Sequence, residues 1–168
     1  IATPMTALHE HNEREQLPKL LEQLRQGKSI ALISDAGTPL VSDPGFHLVR
    51  AAHEAGIAVV PVPGPCAAIA ALSAAGLPSD RFAFEGFPPA KTVARRRFFR
   101  ERAADPRTLI FYESPHRIVD SLADMAAEFG TVREAVVARE LTKMFETVRA
   151  AALGELADWI ARAETPRQ

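Results

Sequence analysis

The sequence predicts an α/β protein built from two α/β domains. In the first half, a helical pattern, a glycine and an apolar run follow one another twice, the rhythm of parallel βαβ units. Gly76-Leu-Pro-Ser-Asp80 then breaks this rhythm, as a linker does. Beyond it, strand and helix patterns start afresh. The expected domains are 1–79, a mostly parallel sheet, and 80–168, a mixed sheet with helices.

Each element has its own signal. Residues 3–9 are weakly strand-like, and Leu17, Leu20, Leu21 and Leu24 then recur at helical spacing. Gly27 stops that helix, and 29–34 (SIALIS) is a continuous apolar run that fits a strand buried on both faces. Residues 45–55 are helical, Gly56 ends them, and 57–62 is a β-branched strand. An alanine-rich helix is expected over 65–75. In the second half the expected order is strand 81–87, basic helix 91–104, strand 107–112 and helix 115–129. Strands at 134–139 and 146–152 and a helix at 155–162 complete it.

Composition narrows the function. The 168 residues carry 20 Lys+Arg against 21 Asp+Glu, net −1, and are 47% apolar. That excludes a globally basic nucleic-acid coat and an acidic disordered tail. Cys66 is the single cysteine, so an internal disulfide and a cysteine zinc site are excluded and a reducing compartment is expected. Positions 55–79 hold no charge, but Pro61, Pro63 and Pro65 interrupt them. A spanning helix does not tolerate that many lost donors, so no membrane is expected and a cytoplasmic location is.

Two loops stand where ligands bind in open sheets, beyond the carboxyl ends of strands. The first is Ser34-Asp-Ala-Gly-Thr-Pro-Leu-Val-Ser-Asp-Pro-Gly45. Gly37 and Gly45 allow close backbone approach, and Thr38, Ser42 and Asp43 offer polar partners. It is neither a GxGxxG nor a Walker loop. Capping by Ser42 or Asp43, with Pro44 as first helical residue, explains only its last residues. The second is Pro61-Val-Pro-Gly-Pro-Cys-Ala-Ala68, whose small residues leave room for a flat ring. With no His or Asn suitably spaced, Cys66 reads as a packing residue rather than a nucleophile.

Four blocks carry a specific resemblance: SDAGTPLVSDPG, VPGPCAAIAALSAAGLPSDRFAFEGFPPAK, FYESPHR and ARELTKMFET, in that order. Together they resemble the tetrapyrrole-methylase superfamily, in particular its branch that methylates the ribose 2′-hydroxyl of a cytidine in small-subunit ribosomal RNA. The resemblance implies S-adenosyl-L-methionine bound in a cleft between two α/β domains, a homodimer, and ribosomal RNA or the 30S subunit as partner. Block by block it implies cofactor contacts at Gly37, Thr38 and Val41, at Cys66 and Ala67, at Tyr112, and at Leu141 and Thr142. The family's opening glycine-rich and acidic blocks are not matched, nor is a last strand. The expectation is therefore a chain short at both ends, with a depleted first sheet and a weakened cofactor site.

Ribose methylation needs the hydroxyl held in line and its proton removed. Glu113 and His116 in FYESPHR are the candidates, and Arg117 could grip a phosphate. The bland alternative is a helix start capped by Ser114 with Pro115 next. Lys143 beside Arg139 and Glu140 is either a strand-end ion pair or a substrate grip. His9 and His11 flank Glu10 with no third ligand nearby, so they read as a solvated strand end and no metal is expected. The stretch 91–102 carries +5, leaving −6 for the rest. Such asymmetry fits a phosphate backbone, and Arg95, Arg96 and Arg97 are the expected RNA contacts. A corrinoid or other tetrapyrrole methylase is the enzymatic rival, which that basic stretch disfavours. A non-catalytic RNA-binding or dimerisation fragment is the other.

Overall fold

The computed structural model describes residues 4–164. Ten elements follow one another: α1 (Glu13–Arg25), α2 (Phe46–Glu54), α3 (Ala67–Ala75), β1 (Phe82–Gly86), α4 (Thr92–Arg100), β2 (Thr108–Phe111), α5 (Ile118–Phe129), β3 (Glu134–Arg139), β4 (Thr147–Ala152) and α6 (Leu153–Glu164). They divide into two compact units that part between Cys66 and Ala67. The helix expected at the end of the first domain, α3, therefore packs with the second unit, against β2, β3 and β4.

The second unit holds the strands and the main core. β1 and β2 pair in parallel, Phe82 opposite Thr108 and Phe84 opposite Ile110, with α4 as the crossover. A bulge shifts the register before Gly86, whose φ is +67°. β3 and β4 pair antiparallel from Glu134–Ala152 to Arg139–Thr147. Phe99, Leu122, Met125, Leu153 and Ile160 are buried together, and Phe98, Phe111 and Phe129 pack against them. Phe99 meets Phe111 edge-on at 5.6 Å, a geometry that ring quadrupoles favour, and Phe129 at a tilt at 5.4 Å.

The first unit differs from the expected parallel sheet. Among the described residues, 29–34 and 57–62 form no ladder. Apolar β-branched sequence nominates a strand; only a neighbour about 4.8 Å away makes one. Ile33, Val60 and Val62 are accordingly exposed. The strand expected at 3–9 is likewise unpaired over 4–9, and Thr3 lies outside the described residues. His9 and His11 stand on a turn leading into α1, where the His9 carbonyl accepts from the Asn12 and Glu13 amides. What holds this unit is α1 on α2, with Leu20, Leu48 and Ala52 buried.

Candidate functional site

The loop 34–45 in the first unit is built from unusual backbone. Gly37 (φ +86°), Leu40 (+70°), Ser42 (+56°) and Gly45 (+123°) all take left-handed conformations. Among the described residues, the other non-glycine positions of this kind are Glu140 and Thr142. All four non-glycine cases thus fall in the two loops assigned to cofactor binding from sequence. Such conformations cost energy and concentrate where a loop shape is imposed for a purpose. A side chain at Gly45 would be strained by its φ and would also push Leu32 aside, a Cβ standing 2.6 Å from Leu32 Cδ2.

Thr38 fastens this loop to the proline turn, its Oγ1 donating to the Pro65 carbonyl at 2.7 Å. A Cβ on Gly37 would lie 3.7 Å from that same carbonyl oxygen. The Val41 amide donates to the Thr38 carbonyl at 3.3 Å. Gly37, Thr38, Val41 and the turn before Cys66 are therefore gathered in one place. Cys66 is a half-buried free thiol.

Ser42 and Asp43 do not cap α2. Ser42's left-handed backbone is wrong for an N-cap, and Gly45 occupies that position. Glu13, 5% exposed, satisfies the helix start instead, with Oε1 accepting from the His47 amide at 2.9 Å and the Leu48 amide at 3.3 Å. Sequence reading missed this residue, because the bond spans more than thirty positions and leaves no local signal.

In the second unit Tyr112 closes β2. Its ring meets Phe84 at 4.8 Å and Phe87 at 5.6 Å, and its hydroxyl accepts from the Ala68 amide at 3.1 Å. Tyr112 is thus placed at the start of α3, beside Ala67. Glu113, with its side chain 4% exposed, is fully engaged. Oε1 accepts from the Ser114 amide at 2.7 Å and pairs with Arg117 at 2.6 Å, while Oε2 accepts from buried Ser121 at 2.5 Å. Ser114 is not the cap of α5; Arg117 holds the N-cap position, after a turn over 115–117. His116 is exposed on that turn.

The loop 140–146 joins β3 to β4. Glu140 (φ +51°) and Thr142 (φ +64°) are both left-handed, a rare state for a β-branched threonine. Glu146 Oε2 holds the Thr142 amide at 2.6 Å, and Thr142 Oγ1 donates to the Leu141 carbonyl at 2.6 Å. Lys143 pairs with Glu140 at 3.2 Å.

The basic helix α4 is largely neutralised. Arg95, expected on RNA, is 2% exposed and pairs with Asp124 at 2.7 Å. Arg96 and Arg100 share Glu128, at 2.7 and 2.9 Å. The Arg100 and Arg96 guanidiniums hold the Glu128 carboxyl below its ordinary range. Arg97 is outward, 3.8 Å from Glu101, and Arg102 pairs with Glu85 while lying 3.5 Å over the Phe98 ring. The structure gives Arg95 an internal role. A signal was present: Arg96 and Arg100 on α4, and Asp124 and Glu128 on α5, share i,i+4 spacing, so one charged row faces another.

The model of the family Tetrapyrrole (Corrin/Porphyrin) Methylases matches residues 1–157. The chain belongs to the tetrapyrrole methylase family. It is 63% identical over 161 residues to the Ribosomal RNA small subunit methyltransferase I of Pseudomonas aeruginosa, covering 96% of this chain and 57% of that one. The Escherichia coli O157:H7 protein of the same name is 59% identical, with the same coverage. The chain thus spans just over half the length of these curated relatives. The crystal structure of the methyltransferase CobJ matches with a TM-score of 0.64 at 22% identity, over 90% of this chain and 67% of that one. This likeness supports the α/β fold read from sequence. No helix among the described residues is long and apolar enough to cross a membrane.

Proposed function

We propose that this chain belongs to an S-adenosylmethionine-dependent methyltransferase acting on the ribose 2′-hydroxyl of a cytidine in small-subunit ribosomal RNA, as a cytoplasmic homodimer. The observation that carries this reading is the 63% identity to a protein named for ribosomal RNA methylation, over 96% of the chain. The cofactor supplies a methyl group already activated on sulfur, so the protein has only to hold, orient and deprotonate. The residues proposed to hold it are Gly37, Thr38, Val41, Cys66, Ala67, Tyr112, Leu141 and Thr142. The fit rests on backbone. Left-handed residues impose a fixed shape on both loops, and Gly37 lets the backbone come close to a ligand.

The two candidate catalytic residues take different parts. Both Glu113 oxygens accept bonds inside the protein, which suits it to positioning Arg117 and the start of α5. His116 is exposed on the same turn and is the better acceptor for the 2′-hydroxyl proton.

The test is transfer of labelled methyl groups to 30S subunits, bare small-subunit RNA and a corrinoid, with the Pseudomonas relative assayed beside this chain. Digestion to nucleosides should yield 2′-O-methylcytidine. Label on the corrinoid alone would overturn the reading. Gly37→Val, forced into φ +86°, should lower S-adenosylmethionine affinity at least tenfold by calorimetry, about 1.4 kcal/mol. Unchanged affinity in a folded variant would remove this loop from the site.

A further inference from the structure

We infer that Arg139, Arg149 and Trp159 form a phosphate-binding platform through which the second unit grips RNA. The inference rests on the RNA reading above and moves the grip away from α4. There, Arg95, Arg96, Arg100 and Arg102 pair with carboxylates of other elements at 2.5–2.9 Å, and Arg97 stands 3.8 Å from Glu101 on the surface. Arg139 and Arg149 differ: among the described residues neither has a carboxylate partner or a side-chain hydrogen bond.

The ladder explains how they meet. Arg139 lies opposite Thr147 and Arg149 opposite Val137, so the two arginines are diagonal neighbours on one face of the β3–β4 pair. That face also carries Ala135 and Val137, which pack with Trp159 of α6 toward the core. The guanidinium carbons stand 4.7 Å (Arg149) and 5.8 Å (Arg139) from the Trp159 ring centroid, both within cation–π range. Both arginine residues are exposed, and the indole is half-buried.

Two like charges collected on one ring repel each other unless an anion joins them. The chain supplies none there among its described residues, so the anion comes from outside. Cation–π contact with the indole holds the guanidiniums without using their N–H donors, which leaves the planar fork free for phosphate oxygens. A nucleic-acid backbone supplies that anion, and fixing the arginines beforehand lowers the entropy cost of binding it.

The experiment is anisotropy titration of a fluorescent single-stranded RNA from the small-subunit decoding region, over 50–300 mM salt, with this chain. Trp159 is the only tryptophan, so its emission checks folding in each variant and reports occupancy of the platform. R139Q/R149Q should weaken binding at least ~10-fold and reduce the magnitude of the log–log salt slope by roughly 1 to 2, because about two fewer phosphates are neutralised. R139K/R149K keeps the charge without the fork, so most of the slope should return while affinity recovers only in part. Wild-type binding that the glutamine variant leaves unchanged overturns the platform and spares the RNA reading. Unchanged RNA affinity with lost self-association overturns it in favour of a contact with a second copy. A wild-type chain that binds no RNA overturns it as well, while methyl transfer by the Pseudomonas relative still decides the function separately.

Discussion

The two units contain equally strand-like sequence and treat it differently. Residues 57–62 of the first unit are as apolar as 108–111 of the second, yet only the latter form a ladder. In the second unit every described strand has a partner in the same unit, and helices cover the core between them. In the first, the unpaired segment 57–62 leaves Val60 and Val62 at 78% and 85% exposure, and stability rests on one helix pair. Apolar patterning reports what a segment can become. Whether it does depends on a neighbour that patterning does not mention.

The largest effect should appear in hydrogen exchange. Amides of 29–34 and 57–62 should exchange roughly 100-fold or more faster than those of β2 and β3, since no ladder protects them. Equal protection in the two units would erase the contrast between them. Next comes the core. Phe99→Ala removes a fully buried ring from the aromatic cluster and should cost the second unit about 3–5 kcal/mol in chemical denaturation. Exchange in α1 and α2 should not respond to it.

The matching probe of the first unit is Glu13→Ala. It strips two amides at the start of α2 of their shared acceptor and should cost about 1–2 kcal/mol, read as faster exchange in α2. Glu13→Gln should restore part of the loss.

Much of the fold is legible in the sequence, and the failures share one cause. The six helices lie within a few residues of their expected places, because leucine spacing and the glycines after α1 and α2 are local signals. β3 coincides with the strand expected at 134–139. The caps expected at Ser42 and Ser114 fail because the groups that settle those helix starts are not adjacent: Glu13 serves α2 from another helix. The charge run on α4 is legible as charge. Its carboxylates lie about thirty positions downstream on α5, so its neutralisation is not. For the site, the sequence locates the loops but not their left-handed residues, since Leu40, Ser42, Glu140 and Thr142 are not types that announce positive φ.

The smallest expected effect concerns pH and the surface of the second unit. Hydrogen bonds from the Arg107 side chain and amide hold the Asp105 carboxyl at about 2, below its ordinary 3.8. A carboxyl depressed on folding stabilises the protein above its unfolded pKa and loses that contribution as pH falls through the folded one. Melting temperature should therefore drop between about pH 4 and 2. Asp105→Asn should be slightly less stable at neutral pH and show a shallower drop. A parallel shift at every pH would assign the acid response elsewhere.

The carboxylate of Glu13 has an electrostatic consequence for ligand choice. A helix that follows a glycine-bearing loop in an α/β fold is the usual receptor for a phosphate, through its free amides and positive dipole end. In this chain the protein's own anion already occupies that end, on the His47 and Leu48 amides. With that carboxylate in place the positive dipole end is offset, and a phosphate at the helix start would be repelled. A ligand that carries positive charge, as a sulfonium does, meets no penalty there, whereas a dinucleotide would.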